Sequence, residues 1–449
     1  MDEEEYKKRL SSNFKLFDDN SKKQAKEFLE LCTYVHGKYD EDAGFQDLEK
    51  HVRELEKPSL DKGLKRDRLY YLALPPSVFG TVTAHLKKNN YPGDEGHAKV
   101  IIEKPFGHDL ESSRVLQKAI APVWTEDEVY RIDHYLGKEM VKNILALRFA
   151  NQFFNASWNR QNIACVQISF KEPFGTEGRG GYFDEIGIIR DVMQNHLLQV
   201  LSLIAMERPV SFAPEDIRDE KVKVLKAIPP IELSQTILGQ YDRSEDGAKP
   251  AYTDDETVPK GSKAVTFAAL QLSINNDRWE GVPFILKAGK ALDEAKVEIR
   301  IQFKDVAQGI FQNIARNELV LRIQPKEAIY LKMNAKYPGL GTRTVVTDLD
   351  LSYHRRYSDL KIPEAYEALI LDALKGDHSN FVRDDELDVS WKIFTPLLHK
   401  IDSKDEDVKV EKYAYGSRGP ASVNQFLADR GYVRDNTKSY QWPVTKGNL

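Results

Sequence analysis

Cysteine is scarce in this chain: Cys32 and Cys165 are the only two among 449 residues, far apart and outside any CxxC spacing. Neither a disulfide framework nor a cysteine metal site is supported, and a reducing compartment fits. Long apolar runs are missing as well. Residues 197–206 are short and broken by Gln199 and Ser202, well below the ~20 residues a membrane helix needs. Positive charge is not in excess, because the formal net charge is -5. That argues against a general nucleic-acid binder, so any phosphate site must be local. The opening Met1-Asp2-Glu3-Glu4-Glu5 lacks the basic start and apolar core of a signal peptide, which predicts a cytoplasmic location. No GxGxxG, and no equivalent glycine turn after an opening strand, occurs before residue 140.

What is present is the balance of a soluble enzyme-sized chain, 41% hydrophobic and 30% charged. The first part alternates. Helical patterns cover 18–31 and 43–56, a buried strand covers 68–74 and stops at Pro75-Pro76, and a helix follows through Leu86. A second apolar strand, 97–103, runs into Lys104-Pro105-Phe106-Gly107, and Asp109 caps a helix to about Val123. A strand at 129–132 and a helix at 138–153 complete the alternation, which implies parallel crossovers and half of a doubly wound domain. From Ile163 the texture changes. Alternating segments at 163–170, 264–274, 297–303, 318–323, 328–333 and 348–353, mostly without helices between them, predict a large, mainly antiparallel sheet. Residues 185–207 read as one long helix with Ile186, Ile189, Met193, Leu197, Leu201 and Ile204 at helical spacing, and further helices are predicted at 364–375 and 384–399. The glycine-rich run 175–181 precedes a helix rather than following a parallel strand, and it reads as a flexible lead-in.

Two stretches pack ionisable groups more densely than a fold requires. The first is Arg131-Ile132-Asp133-His134-Tyr135-Leu136-Gly137-Lys138, at the carboxyl end of a strand, where open α/β sheets bind ligands. If it already turns helically, His134 and Lys138 face the same way as two cationic donors able to grip one phosphate. Lys138 at a helix start would otherwise oppose the dipole, and a bound anion removes that conflict. The bland alternative has His134 and Tyr135 capping and packing and Lys138 solvated. The second stretch is Asp191-Val192-Met193-Gln194-Asn195-His196. On an α-helix Asp191 and His196 lie about 140° apart, so His196 flanks the apolar stripe beside Asn195. A histidine there is commonly a packing residue. Asp133, however, is free to orient an imidazole, and a carboxylate on one ring nitrogen turns the other into a general base near neutral pH. Lys104, Lys171-Glu172, Lys290 and Gln324 each end a predicted strand, where a charged or polar residue is often only a solvated cap.

Taken together, Glu103–Gly107 (EKPFG), Arg131–Lys138 (RIDHYLGK), Phe170–Asp184 (FKEPFGTEGRGGYFD), Asp191–His196 (DVMQNH), Val282–Leu292 (VPFILKAGKAL) and Tyr415–Pro420 (YGSRGP) resemble the glucose-6-phosphate dehydrogenase family, in family order and across essentially the whole chain. The resemblance implies a fold of class α/β followed by α+β: a partial doubly wound, Rossmann-like NADP-binding domain at 1–137, then a substrate and dimerisation domain at 138–449 built on the large sheet. It implies oxidation of D-glucose 6-phosphate to the 6-phospho-lactone with NADP, in a cytoplasmic homodimer or homotetramer without metal, nucleic acid or membrane. His196 would take the proton of the C1 hydroxyl and Asp133 would orient it. His134, Tyr135 and Lys138 would hold the 6-phosphate, Lys104 would bridge substrate and nicotinamide, and Glu172, Asp191, Lys290 and Gln324 would hold the sugar and its phosphate.

A second, structural NADP sits on the large sheet in some members, and the matching positions are Lys287, Lys296, Arg300, Arg322, Tyr330, Lys332, Asp350, Arg418 and Trp442. Ala295 stands where many members carry a basic residue, and Arg434 where an aromatic is expected. At the front, the family's opening strand and GASGDLA-like turn have no counterpart, and Phe79 replaces an expected tyrosine. The coenzyme domain is therefore expected to be incomplete as given, and the alternative is a catalytically impaired sugar-phosphate or NADP-binding subunit, or a truncated gene product. Little turnover is expected of the chain as written.

Overall fold

The computed structural model describes residues 1–307, 309–311, 314–403, 405–434 and Trp442. Contacts divide the chain into one unit of residues 1–102 with 118–129 and a larger one of 103–117 with 130–449.

In the smaller unit, helices Glu3–Ser11, Asp19–Leu31 and Asp42–Leu60 precede the first strand. Asp18, counted within the second helix by its sequence pattern, instead caps it by accepting from the Ser21 amide at 2.7 Å. Strand β1 (Arg68–Leu72) pairs in parallel with β2 (Ala98–Ile102), joined by helix Phe79–Asn90, so the predicted crossover is there. Buried Arg68 is tied to Glu49, Glu56 and the Asn90 carbonyl, which satisfies its charge at the sheet edge. The short strand β3 (Val129–Arg131) leads into the stretch 131–138.

The larger unit is organised by a nine-stranded sheet. Its members are β4 (Ile163–Lys171), β5 (Thr236–Asp242), β6 (Phe267–Leu272), β7 (Phe284–Gly289), β8 (Lys296–Phe303), β9 (Glu318–Gln324), β10 (Ala328–Lys336), β11 (Thr344–Ser352) and β12 (Val410–Ala414). The order is β11-β10-β9-β8-β4-β7-β6-β5-β12, antiparallel except for the β4–β7 and β5–β12 pairs. Val297, Ile299 and Ile301 of β8 enter the core with the helices, while the alternate residues Lys296, Glu298, Arg300 and Gln302 take the opposite, polar face. Three strands were not anticipated. Gly239 interrupts β5, β12 (VEKYA) is a charged edge strand, and central β7 (FILKAG) is buried at nearly every position, which erases the period-2 signal.

The long helix expected at 185–207 is not continuous. Helix Gly180–Ile188 is broken at Gly187 (φ 64°, ψ 166°), a backbone region open essentially to glycine alone. Residues Ile189–Leu197 then form a π-helix, and Leu198–Ala205 returns to α. Three donors cap the far end: Arg148 to the Leu203 and Met206 carbonyls, Trp158 to Ile204 and Trp279 to Ala205. They satisfy carbonyls a helix end leaves without partners, and so fix the axial position of everything before it. The glycine-rich run is not a flexible lead-in either. The Gly178 and Gly180 amides donate to Asp255 at 3.1 Å and that of Gly181 to Thr257 at 2.8 Å, and a Cβ on Gly180 would meet Val258 at 2.4 Å. No helix among the described residues is long and apolar enough to cross a membrane.

Candidate active site

The parallel pairing of β4 with β7 sets Lys171 opposite Gly289, so the residues that follow each strand emerge side by side. Lys290 donates to Glu172 at 2.6 Å. Two antiparallel steps, β4 to β8 to β9, bring β9 into the same direction as β4, and Gln324 therefore ends at the same edge of the sheet. None of the contacts described for Gln324 reaches the other predicted site residues. Its neighbour Glu327 does act on Lys138.

The stretch 131–138 turns through successive bonds from the amides of Leu136, Gly137 and Lys138 to carbonyls three residues back. Lys138 itself is extended (φ -72°, ψ 134°) and only precedes helix Glu139–Phe149, a correction to the helix expected from 138 to 153; a second helix, Gln152–Ser157, follows. Gly137 is required by packing, since a Cβ there would meet the Ala365 carbonyl at 2.4 Å. That close approach brings in Tyr366, whose ring stacks on His134 at 5.7 Å and 8°. Nothing in the local sequence pointed to Tyr366, because the contact is made across the fold.

The π-helix points His196 at this turn. Its Nδ1 lies 2.6 Å from Asp133 Oδ1, with both side chains 3% exposed, and Asp133 Oδ1 also accepts from the Tyr135 amide at 2.9 Å. On the other nitrogen, Lys104 Nζ approaches Nε2 at 3.1 Å while donating to the Asp191 carbonyl at 2.8 Å. An ammonium against Nε2 makes that nitrogen the acceptor and leaves the ring proton on Nδ1, facing Asp133. The Asp191 carboxylate reaches Lys104 and Lys290 at 3.6 Å each. Tyr135 stacks on the His196 ring at 4.5 Å, and His134 meets it edge-on at 4.5 Å. Asp191 and His196, 140° apart on an α-helix, are here joined through Lys104, and π-helical segments recur at functional sites.

Electrostatics separates the roles. Burial holds His196 below the usual imidazole range against the pull of Asp133, with Lys104 acting in the same direction as burial. Burial works to raise the Asp133 carboxyl, yet its attraction to His196, the hydrogen bond between them and the Tyr135 amide keep it below the ordinary carboxylate range. Burial and the neighbouring His196, Lys104 and Lys138 push His134 down to about 3, against Asp133. The expectation of two cationic donors is corrected accordingly: near neutral pH His134 is a neutral donor and Lys138 supplies the charge. Burial also lowers Lys138, opposed by Glu327 and Glu364. Ligand atoms of Asp133, His134 and His196 lie within 4.8 Å of one another, close enough for a metal. The Asp133 hydrogen bond and the Lys104 ammonium engage both nitrogens of His196.

The second predicted group gathers on the polar face of the sheet. Arg300 bonds Glu298 and Glu318 at 2.7 and 2.6 Å, Arg322 approaches Glu298 at 3.6 Å, and Lys332 approaches Glu318 at 3.9 Å. Lys287, pushed down to about 8 by burial and Lys171, lies beside them, and Lys296 pairs with Glu294 at 2.7 Å. Trp442 stacks on Tyr330 at 4.7 Å and 10°, with Arg322 over its ring at 4.5 Å. Asp350 lies opposite Tyr330 on β11, whereas exposed Arg418 pairs with Asp293 at 3.4 Å.

Comparison with known proteins decides the family. The family model described as "Glucose-6-phosphate dehydrogenase, NAD binding domain" matches residues 1–143, and "Glucose-6-phosphate dehydrogenase, C-terminal domain" matches residues 145–442. The chain belongs to the glucose-6-phosphate dehydrogenase family. The glucose-6-phosphate 1-dehydrogenase of Emericella nidulans is 63% identical over 445 residues, 99% of this chain and 86% of that protein. That of Saccharomyces cerevisiae is 60% identical over 428 residues, 95% of this chain and 84% of that protein. A solved glucose-6-phosphate dehydrogenase in complex with its substrate glucose-6-phosphate matches with a TM-score of 0.92 at 57% identity, covering 97% of this chain and 90% of that one. The Mycobacterium avium glucose-6-phosphate 1-dehydrogenase matches at 0.82 and 31%, covering 98% and 90%. The glucose-6-phosphate dehydrogenase fold, a Rossmann-like domain followed by a large mixed sheet with helices, is thus the fold of this chain.

Proposed function

We propose that His196 is the general base of a glucose-6-phosphate dehydrogenase, with Asp133 as its orienting carboxylate. The chain is an oxidoreductase that converts D-glucose 6-phosphate to 6-phospho-D-glucono-1,5-lactone, the first oxidative step of the pentose phosphate pathway. The observation carrying the assignment is the buried 2.6 Å pair, with Lys104 on the free ring nitrogen. NADP, when bound, accepts the hydride that leaves C1. His196 takes the C1 hydroxyl proton on Nε2, and the Asp133 charge stabilises the imidazolium that results. Lys138 and His134, with Tyr135 packed beneath, hold the 6-phosphate, Lys138 by its charge and neutral His134 by a hydrogen bond. Glu172, Asp191, Lys290 and Gln324 hold the sugar, and Lys104 serves both substrate and nicotinamide.

The parallel β1–β2 crossover fits a dinucleotide-binding half. No glycine turn follows an opening strand among the described residues, so no pyrophosphate cradle is assigned. We further propose that residues 1–137 serve the coenzyme and 138–449 the substrate and subunit contacts, in a cytoplasmic homodimer or homotetramer. The polar sheet face would take a structural NADP, with Trp442 and Tyr330 offering rings and Lys287, Lys296, Arg300, Arg322, Lys332, Asp350 and Arg418 polar groups. Support for it is the stacked pair beside a basic stripe. The decisive test of the base is His196→Asn, assayed in a chain that carries the coenzyme's glycine turn. Turnover should fall by roughly 10²–10⁴ while sugar-phosphate affinity stays within a few-fold. Near-normal kcat would make His196 a packing histidine.

A further inference from the structure

Lys290 is fixed first through its own backbone. Its amide donates to the Thr266 carbonyl at 3.0 Å, and its carbonyl accepts from the Tyr413 hydroxyl at 2.8 Å. At the far end of the side chain, the ammonium donates to Glu172 at 2.6 Å and lies 3.6 Å from the Asp191 carboxylate. It also lies over the ring of Phe183, 5.1 Å from the centroid. Lys290 is 9% exposed and Phe183 5%, so this contact is largely withdrawn from water. The ring is fixed in turn. Phe183 belongs to helix Gly180–Ile188, whose start is pinned by the Gly178 and Gly180 amides on Asp255. The Tyr252 hydroxyl lies 2.9 Å from the Gly180 carbonyl oxygen and 3.0 Å from Asp184 Oδ1, and its ring meets that of Phe183 edge-on at 6.3 Å.

We propose that Phe183 is a positioning residue for substrate binding: its ring face holds the Lys290 ammonium in place while leaving N–H donors of that ammonium available to the substrate. An ammonium has three donors, and Glu172 takes one. A carbonyl or another carboxylate in place of the ring would take a second. An aromatic face attracts the charge through its quadrupole within about 6 Å and accepts no conventional hydrogen bond. An aliphatic side chain would fill the space without that attraction. This inference rests on Lys290 contacting glucose 6-phosphate.

Phe183→Leu should weaken the binding of glucose 6-phosphate, titrated calorimetrically into this chain, on the order of 3- to 30-fold. In a chain carrying the coenzyme's glycine turn, KM should rise by the same factor while kcat stays near the parental value, because the C1 proton is handled at His196. Leucine also changes the packing, so a second series isolates the electrostatics: Phe183 replaced by 4-fluoro-, 3,5-difluoro- and 3,4,5-trifluorophenylalanine. Fluorine drains charge from the ring face with little change in size, so affinity should fall step by step along the series while the thermal midpoint stays parental. A flat fluorine series overturns the proposal, because the ring then only fills space, and so does a Phe183→Leu variant that binds like the parent. Parental affinity in Lys290→Met would instead remove Lys290 from the substrate site and sink the reading beneath the proposal.

Discussion

Asp133 Oδ1 and His196 Nδ1 lie 2.6 Å apart although 63 residues separate them in the chain. Both are 3% exposed, so water reaches neither polar group and each depends on the other. Asp133→Asn should keep the packing but let a carboxamide N–H face Nδ1, which selects the wrong tautomer. We expect kcat to fall on the order of 10²–10⁴ with little change in sugar-phosphate affinity. Parental kcat would show that the carboxylate does not orient the base.

The base should be in its active, neutral form well into mildly acidic solution, because burial holds His196 below the usual imidazole range. The acid limb of kcat is expected below pH 6.5. Stability has a defined sign. His134, at about 3, and His196 both refuse protons that the unfolded chain accepts from about pH 6.5 downward, so stability is complete above that pH and declines as pH falls. The slope is at most roughly 1.4 kcal/mol per pH unit for each histidine. Urea unfolding at pH 7.5, 6.5 and 5.5 measures it, and a flat profile across that window would contradict the burial of both rings.

Lys138 bears on recognition rather than chemistry, since its partner is a phosphate remote from the reacting carbon. Lys138→Ala should cost about 1.5–3 kcal/mol in binding of glucose 6-phosphate. Affinity for free glucose should hardly change, so the preference between the two narrows. An unchanged preference would place the phosphate elsewhere.

Lys221 and Glu386 form an ion pair at 2.8 Å with both side chains 0% exposed, joining helix Pro214–Lys226 to helix Asp384–Asp402. Lys221→Met strands a buried carboxylate and should cost about 3–5 kcal/mol. Lys221→Met with Glu386→Leu should recover most of that loss, because the apolar pair leaves no charge uncompensated. Chemical denaturation of the single and double variants compares them, and equal losses would refute the coupling.

Local signals sufficed for a good part of this protein. The Asp109 cap, the alternation in β8 and the crossover between β1 and β2 are written within a few residues of chain, where side-chain period and capping chemistry act directly. The density of ionisable groups in 131–138 and 191–196, and the family to which those stretches point, were equally legible. Other features exist only once distant segments meet. The apolar stripe of 185–207 reads as one helix, and its hydrophobic period carries no sign of the π turn that begins after Gly187 and brings Asp191 and His196 to a common ammonium. His134 looks cationic by composition and is neutral because burial adds to the effect of His196 and Lys104, which arrive from two other places in the chain, and of nearby Lys138. Burial and through-space electrostatics sum over neighbours in space, and a linear pattern does not record which neighbours those will be.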